Sequence, residues 1–179
     1  MKVFYSIASV KGADDAVNTG NFWINGASRP QEEETLRYSS ISILERQRYA
    51  VTEENPAREA AAPDASEPWG DARNASDFIG LSLEKSLLSS KCSGDAGAFL
   101  IRGGQIEKLP DGEYEGDSLP GDLYILGSPG LLKTLPAGEI LTTALETDRI
   151  QEIASALVNA AQAGGFRESL TVLAVERRS

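Results

Sequence analysis

The sequence contains no histidine, which removes the imidazole base that Ser-His-Asp and Cys-His catalysis depends on. Its single cysteine, Cys92, cannot build a Cys/His zinc site or an intrachain disulfide. Lys91 beside it would favour the thiolate slightly, but a core or boundary position is the ordinary role of a lone cysteine. Gly127-Ser128-Pro129-Gly130 has the outline of a phosphate-cradling Gly-x-x-Gly loop, yet no Lys-Ser/Thr pair follows it, so it reads as a plain turn. Ser128 as a nucleophile would need Lys133 as its base, and nothing else in the sequence supports that arrangement. Asp111, Glu113, Glu115 and Asp117 read as a solvated loop, with a site for a basic partner as the minor alternative.

The 179 residues are 41% hydrophobic and 25% charged, which suits one domain, residues 1–179, with a sizeable core. Seventeen basic against 27 acidic residues give a net charge of -10. That balance excludes nucleic acid or an anionic membrane as the main partner, because both would repel it. No stretch approaches the roughly 18 apolar residues of a membrane span. Met1-Lys2 leads into a short alternating run and not into a signal peptide. Together these point to a cytoplasmic protein; the oligomeric state stays open.

The elements that must position any site are mostly strands. Val3–Ala8, Asn21–Ile24, Leu36–Leu44 and Tyr49–Val51 are strand candidates punctuated by Gly12, Gly20, Gly26 and Pro30. Residues 52–77 shift to Ala, Glu, Asp and Pro, with prolines at 56, 63 and 68, and read as a mobile excursion or a short helix such as Ala57–Ala62. Phe78, Ile79, Leu83 and Leu87 fall at helical spacing behind Ser76 as N-cap, which predicts a helix there. Ala98–Arg102 and Gln105–Leu109 flank Gly103-Gly104 and predict a hairpin, with an acidic loop from Pro110 to Asp122 after it. Leu123–Leu126 is a strand candidate, Leu131–Leu135 and Gly138–Leu145 short helical turns, and Leu170–Glu176 a last strand. Asp148 opens a helix whose face is Ile150, Ile153, Leu157 and Ala161, stopped by Gly164-Gly165. Trp23 reads as core and Trp69 as an exposed contact.

The order of landmarks in the second half resembles the metal-dependent Ser/Thr protein phosphatases of type 2C. Gly94-Asp95 with the strand and hairpin after it resembles that family's Gly-Asp-Ser-Arg strand. Gly121-Asp122-Leu123-Tyr124-Ile125-Leu126-Gly127-Ser128-Pro129-Gly130-Leu131 resembles its Gly-Asp strand leading to Ser-Asp-Gly-Leu. Glu168-Ser169-Leu170-Thr171-Val172 resembles its Asp-Asn-(Ile/Val)-Thr-Val turn. More loosely, Asn18–Ile24 and Tyr49–Glu54 lie where the family has Asn-Glu-Asp and Phe-Ala-Val-Ala-Asp-Gly. The resemblance implies an α+β fold: a type 2C phosphatase-like β-sandwich of two antiparallel sheets flanked by helices, trimmed in the strand before Asp95 and between Leu109 and Gly121. Phe99, Ile101, Leu123, Ile125, Ile153, Leu157, Val172 and Val175 should then be core.

Members of that family hold two Mg or Mn ions on aspartates and activate a bridging water. Here the resemblance puts Gly20, Pro129 and Ser169 at ligand positions, where the carboxylates are lost, and lengthens two others to Glu53 and Glu168. Glu54 takes the place of a ligating glycine. Where the family has a phosphate-binding arginine, this chain has Ala13-Asp14-Asp15-Ala16. The plain reading of Glu53 and Glu168 is exposed loop residues; the sharper one is a vestigial cation site shared with Asp14 or Asp15. The expectation is therefore a pseudophosphatase-like regulatory or binding domain with no catalytic residues and no cofactor. Its partner would be a phosphoprotein, a kinase or a regulator. The alternatives are an active phosphatase with rearranged ligands, using Mn or Mg, and a structural subunit that pairs through a sheet edge.

Overall fold

The computed structural model describes residues 1–28, 34–53 and 77–179. They form strands β1 (Lys2–Val10), β2 (Gly20–Ile24), β3 (Ala27–Ser28), β4 (Thr35–Ile43), β5 (Arg46–Glu53), β6 (Asp77–Glu84), β7 (Leu87–Ser93), β8 (Gly97–Arg102), β9 (Gln105–Lys108), β10 (Gly112–Asp117) and β11 (Leu123–Gly127). Helices α1 (Pro129–Thr134), α2 (Ala137–Glu146) and α3 (Ile150–Ala163) and the last strand β12 (Leu170–Arg177) follow. The strands make two six-stranded antiparallel sheets, ordered β4-β1-β12-β11-β8-β9 and β10-β7-β6-β5-β2-β3. No helix among the described residues is long and apolar enough to cross a membrane.

Two apolar layers hold this arrangement. Between the sheets lie Val3, Ile7, Phe22, Tyr49, Val51, Ile79, Leu81, Leu100, Leu126, Leu173 and Val175. On the other face of the first sheet, Ala8, Phe99, Ile101, Ile125, Val172 and Ala174 meet Ile150, Ile153, Ala154, Leu157, Val158 and Ala161 of α3. Strands buried on both faces lose the in/out alternation that marks a half-exposed sheet, and β12 is buried at seven of its eight residues. The expected core is found: all eight residues named from the sequence are buried except Leu123, which is half-buried.

Three of the elements expected from the sequence need correction. The helix expected over 78–88 is the β6–β7 hairpin, closed by Lys85 at φ 53° and Ser86. Phe78, Ile79, Leu81 and Leu83 are all buried because β6 lies inside its sheet: Ile79, Leu81 and Leu83 alternate toward the layer between the sheets, and Phe78 packs on the other face. The helical spacing of Phe78, Ile79, Leu83 and Leu87 omits Leu81. The acidic loop contains β10, whose Glu113 and Glu115 flank Tyr114 on a sheet edge. A strand, β7, precedes Asp95 and runs to Ser93. Gly138–Leu145 is no short turn but the body of a ten-residue helix. The Gly103-Gly104 hairpin stands as read, with φ of 58° and 76° at its centre, the conformation a two-residue primed turn requires. Ala57–Ala62, Trp69, Ser76 and most of the 52–77 excursion lie outside the described residues; Thr52, Glu53 and Asp77 are in strands.

Candidate functional site

One end of the sandwich gathers the residues that the sequence singled out. There the second sheet aligns Gly20, Glu53 and Asp77 in register across β2, β5 and β6. The first sheet brings to the same end the turn Arg167–Ser169 before β12, and Ser128 at the start of α1. Asp95, just beyond β7, joins them by donating its N–H to Asp77 Oδ1 at 2.7 Å.

The loop after β1 is tied to the turn before β12. Arg167 donates to both carboxylate oxygens of Asp14, at 3.0 and 3.1 Å, in an exposed pair. Asp15 Oδ2 accepts from the backbone N–H of Ser169 at 2.5 Å and from its hydroxyl at 2.6 Å. The fully buried Ser169 hydroxyl accepts in turn from the N–H groups of Gly12 and Thr19, each at 3.3 Å. A β-carbon on Gly12 would lie 2.1 Å from the carbonyl carbon of Glu168, so only glycine lets these two backbones approach. Asp14 and Asp15 are therefore engaged in closing this corner, which their position in the sequence alone did not indicate.

Behind the corner lies a network of neutral side chains. The Ser9 and Thr171 hydroxyls are 2.8 Å apart. Asn18 donates its amide to Ser9 at 3.1 Å and accepts from the N–H of Gly20 at 2.9 Å. Ser128 accepts from the N–H of Thr171 at 3.1 Å. Ser9, Ser128 and Thr171 are fully buried, and such groups are stable inside a fold when hydrogen-bonded. Thr171 occupies the space that a side chain at residue 20 would need: a β-carbon there would lie 2.2 Å from Thr171 Oγ1.

The acids around this network repel each other without converging. Glu53 is partly buried at the end of β5 and accepts from the Thr19 hydroxyl at 3.3 Å, so the reading of it as an exposed loop residue is corrected. Burial raises its carboxyl to about 7; the Thr19 bond opposes this, and the charges of Asp77, Glu168 and Asp15 add to it. Glu168 is exposed in its turn, as expected. Asp77 was missed in the sequence, where Ser76-Asp77 imitates a helix cap. Its place beside Glu53 comes from strand register, which no local signal encodes. Glu54 lies outside the described residues.

The remaining candidates have structural roles. Ser128 is bound into the buried network, whereas the exposed Lys133 pairs with Asp95 at 3.4 Å, so no Ser-Lys pair forms. Cys92 is buried and donates to the Ala96 carbonyl at 2.8 Å; burial raises its thiol above the ordinary value. Trp23 is half-buried against Ala50 and Phe78. Asp122 of Gly121-Asp122 lies at the far end, 1% exposed, and takes paired 2.7 Å bonds from Arg102, with further bonds from Leu119 N–H and the Tyr124 hydroxyl.

The two divalent ions implied by the type 2C resemblance do not fit this donor set. Hard cations need several anionic oxygens converging at short range. Position 20 has no side chain and no room for one, and buried Pro129 offers no side-chain donor. The Ser169 hydroxyl is bonded to Asp15. Among the described residues, no group of three or more Asp, Glu or Cys could hold a metal ion.

No family model matches the sequence, and no curated protein matches it. Solved structures do. The catalytic domain of the serine/threonine protein phosphatase PstP, in complex with two manganese ions, has a TM-score of 0.71 at 15% identity, covering 100% of both chains. PppA, described as a key regulatory component of T6SS in Pseudomonas aeruginosa, matches at 0.66 and 18%, over 98% of this chain and 99% of its own. The PP2C phosphatase domain with a regulatory fragment of SpoIIE from Bacillus subtilis matches at 0.64 and 13%, over 97% of this chain and 63% of its own. The chain has the fold of the type 2C phosphatases.

Proposed function

We propose that this chain is a pseudophosphatase-like domain of Ser/Thr phospho-signalling: it keeps the phosphatase scaffold, has lost hydrolysis, and acts by binding another protein. The observation that carries this reading is the contact at residue 20. A metal-binding carboxylate there would need the volume that Thr171 fills, 2.2 Å from the β-carbon. Asp14, Asp15 and Ser169 support it, because their polar atoms bond to one another and to Arg167 instead of facing a ligand. The partner is a phosphoprotein, a kinase or a regulator in the cytoplasm. Its phosphoryl group is not the handle at this end, because Glu53, Asp77, Glu168 and Asp15 would repel a phosphate dianion.

Manganese calorimetry beside a p-nitrophenyl phosphate assay tests the proposal. The expected result is no saturable heat and no metal-dependent turnover. Turnover that requires manganese and disappears in both Glu53→Ala and Glu168→Ala would mean an active phosphatase with rearranged ligands.

A further inference from the structure

Antiparallel sheets leave two edges each, and three of the four here are blunted among the described residues. β3 has two residues, β9 has four and carries Glu107 and Lys108, and β10 exposes Glu113, Glu115 and Asp117. These are ordinary protections against edge-to-edge pairing. β4 has only Arg37. It runs nine residues, Thr-Leu-Arg-Tyr-Ser-Ser-Ile-Ser-Ile, without proline, glycine or acid, and its register with β1 is unbroken from Thr35↔Val10 to Ile43↔Lys2. Tyr38, Ile41 and Ile43 on it, with the adjoining Leu44, are 37%, 50%, 71% and 46% exposed.

The hydrogen-bond phase of the ladder shows which backbone groups of β4 turn away from β1. Lys11 donates its N–H to the Glu34 carbonyl, one step beyond the β1–β4 register. Arg178 donates to the Lys2 carbonyl, one step beyond the β1–β12 register. Odd residues of β1 therefore bond to β4 and even ones to β12, since antiparallel pairs alternate between bonded and non-bonded. The even residues of β4 are the ones bonded to β1. Thr35, Arg37, Ser39, Ile41 and Ile43 point their N–H and C=O groups away from the sheet.

We infer that this edge is a self-association surface, on which two copies pair β4 with β4 about a twofold axis at Ser39. In that register Ser39 meets Ser39, Arg37 meets Ile41 and Thr35 meets Ile43, giving about ten backbone hydrogen bonds. On the other face Tyr38 meets Ser40 and Leu36 meets Ser42, large against small. Arg37, the strand's one charge, lies opposite an isoleucine, so no like charges face each other across the pair. A second copy thus fits this edge in charge and size. Nine residues at ~3.4 Å make a strip about 30 Å long, roughly 300–350 Å² per copy, against about 800 Å² per partner in stable complexes. The association is therefore weak and reversible. Because each copy carries a net charge of -10, added salt strengthens it by screening the repulsion.

Sedimentation of the full chain tests this from about 5 to about 500 µM, a range that brackets a weak interface. The average mass should rise from 19.1 kDa toward twice that value, more steeply at higher salt. Ser39→Pro removes an outward N–H and leaves the β1 ladder intact; Ile41→Lys puts a charge on the strip. Each should hold the protein monomeric while circular dichroism remains that of the parent. Ser39→Cys should form an intermolecular disulfide, since bonded antiparallel partners stand ~5.5 Å apart. A monomer at every concentration overturns the inference and leaves the edge to another protein's strand. A dimer that both Ser39→Pro and Ile41→Lys leave unchanged overturns it as well.

Discussion

Replacing Gly20 with aspartate asks whether the place of the lost carboxylate has been taken by another group. The new β-carbon would lie 2.2 Å from Thr171 Oγ1 and 3.3 Å from its Cβ, where carbon contacts normally stand about 3.5–4.0 Å apart. Thr171 is fully buried and bonded to Ser9, so it must shift or β2 must draw away from β12. Overpacking of this kind costs about 1–3 kcal/mol. The new carboxylate would also stand cross-strand from Glu53, adding up to about 1 kcal/mol of like-charge repulsion. The single substitution should therefore lose about 1–4 kcal/mol. Thr171→Ala alone should cost about 1 kcal/mol, for the lost hydroxyl bond. With both changes the closest contact is gone, and the double variant should be more stable than the sum of the singles predicts by about 1–2 kcal/mol. Urea unfolding of the four proteins, followed by far-UV circular dichroism, measures this cycle. Gly20→Asp within about 0.5 kcal/mol of the parent, or strict additivity, would refute the packing argument.

Glu53 should give stability a distinctive pH dependence. With its carboxyl at about 7 in the fold against an ordinary 4.5, the native state holds a proton that the unfolded chain releases between those values. Stability should fall as pH rises through that window and level off above it, by about 1–2 kcal/mol once partial exposure is allowed for. Thermal melts across the window should lose this slope in Glu53→Gln; an unchanged slope would count against the assignment. Asp122→Asn should cost about 2–3 kcal/mol, because a buried carboxylate accepting several charge-assisted bonds becomes an amide. Burial pushes the Asp122 carboxyl up, but Arg102, the Leu119 N–H and Tyr124 together hold it below its ordinary 3.8. Its contribution is present above that value and is lost as pH falls through its folded-state titration, so acid melts should separate parent from variant less than neutral ones do. Ser169→Ala should cost about 1 kcal/mol and speed amide exchange at Gly12 and Thr19, whose N–H groups both donate to that hydroxyl. Exchange that stays as slow as in the parent would show the loop is held elsewhere.

The parts of the fold that could be read from the sequence were those with a one-sided pattern or special backbone chemistry. Helix α3 shows one apolar stripe, and the Gly103-Gly104 turn needs positive φ at both residues. β6 was misread because Phe78, Ile79, Leu83 and Leu87 fit a helical spacing that skips Leu81 and crosses the turn into β7, although Ile79, Leu81 and Leu83 keep a strand's alternation. β10 was missed because acids and glycines are poor strand formers, yet an edge strand that turns Glu113, Glu115 and Asp117 to solvent tolerates them. The candidate site was only partly legible. Gly20, Glu53, Pro129, Glu168 and Ser169 could be located by resemblance along the chain. Ser9 and Asp77 could not, nor could the bonding of Asn18 and Thr171 to Ser9, because these groups meet only in the folded sheets, as Thr171 does with Ser9, 162 positions away. That Asp14 and Asp15 serve as ties and not as ligands depends on the turn at Arg167–Ser169, equally distant in sequence.

Crystals soaked in manganese and measured at its absorption edge test the central claim most directly. No anomalous peak is expected between Gly20, Glu53, Asp77 and Ser169, with Thr171 still bonded to Ser9. Two neighbouring peaks there, joined by a bridging solvent oxygen, would contradict it.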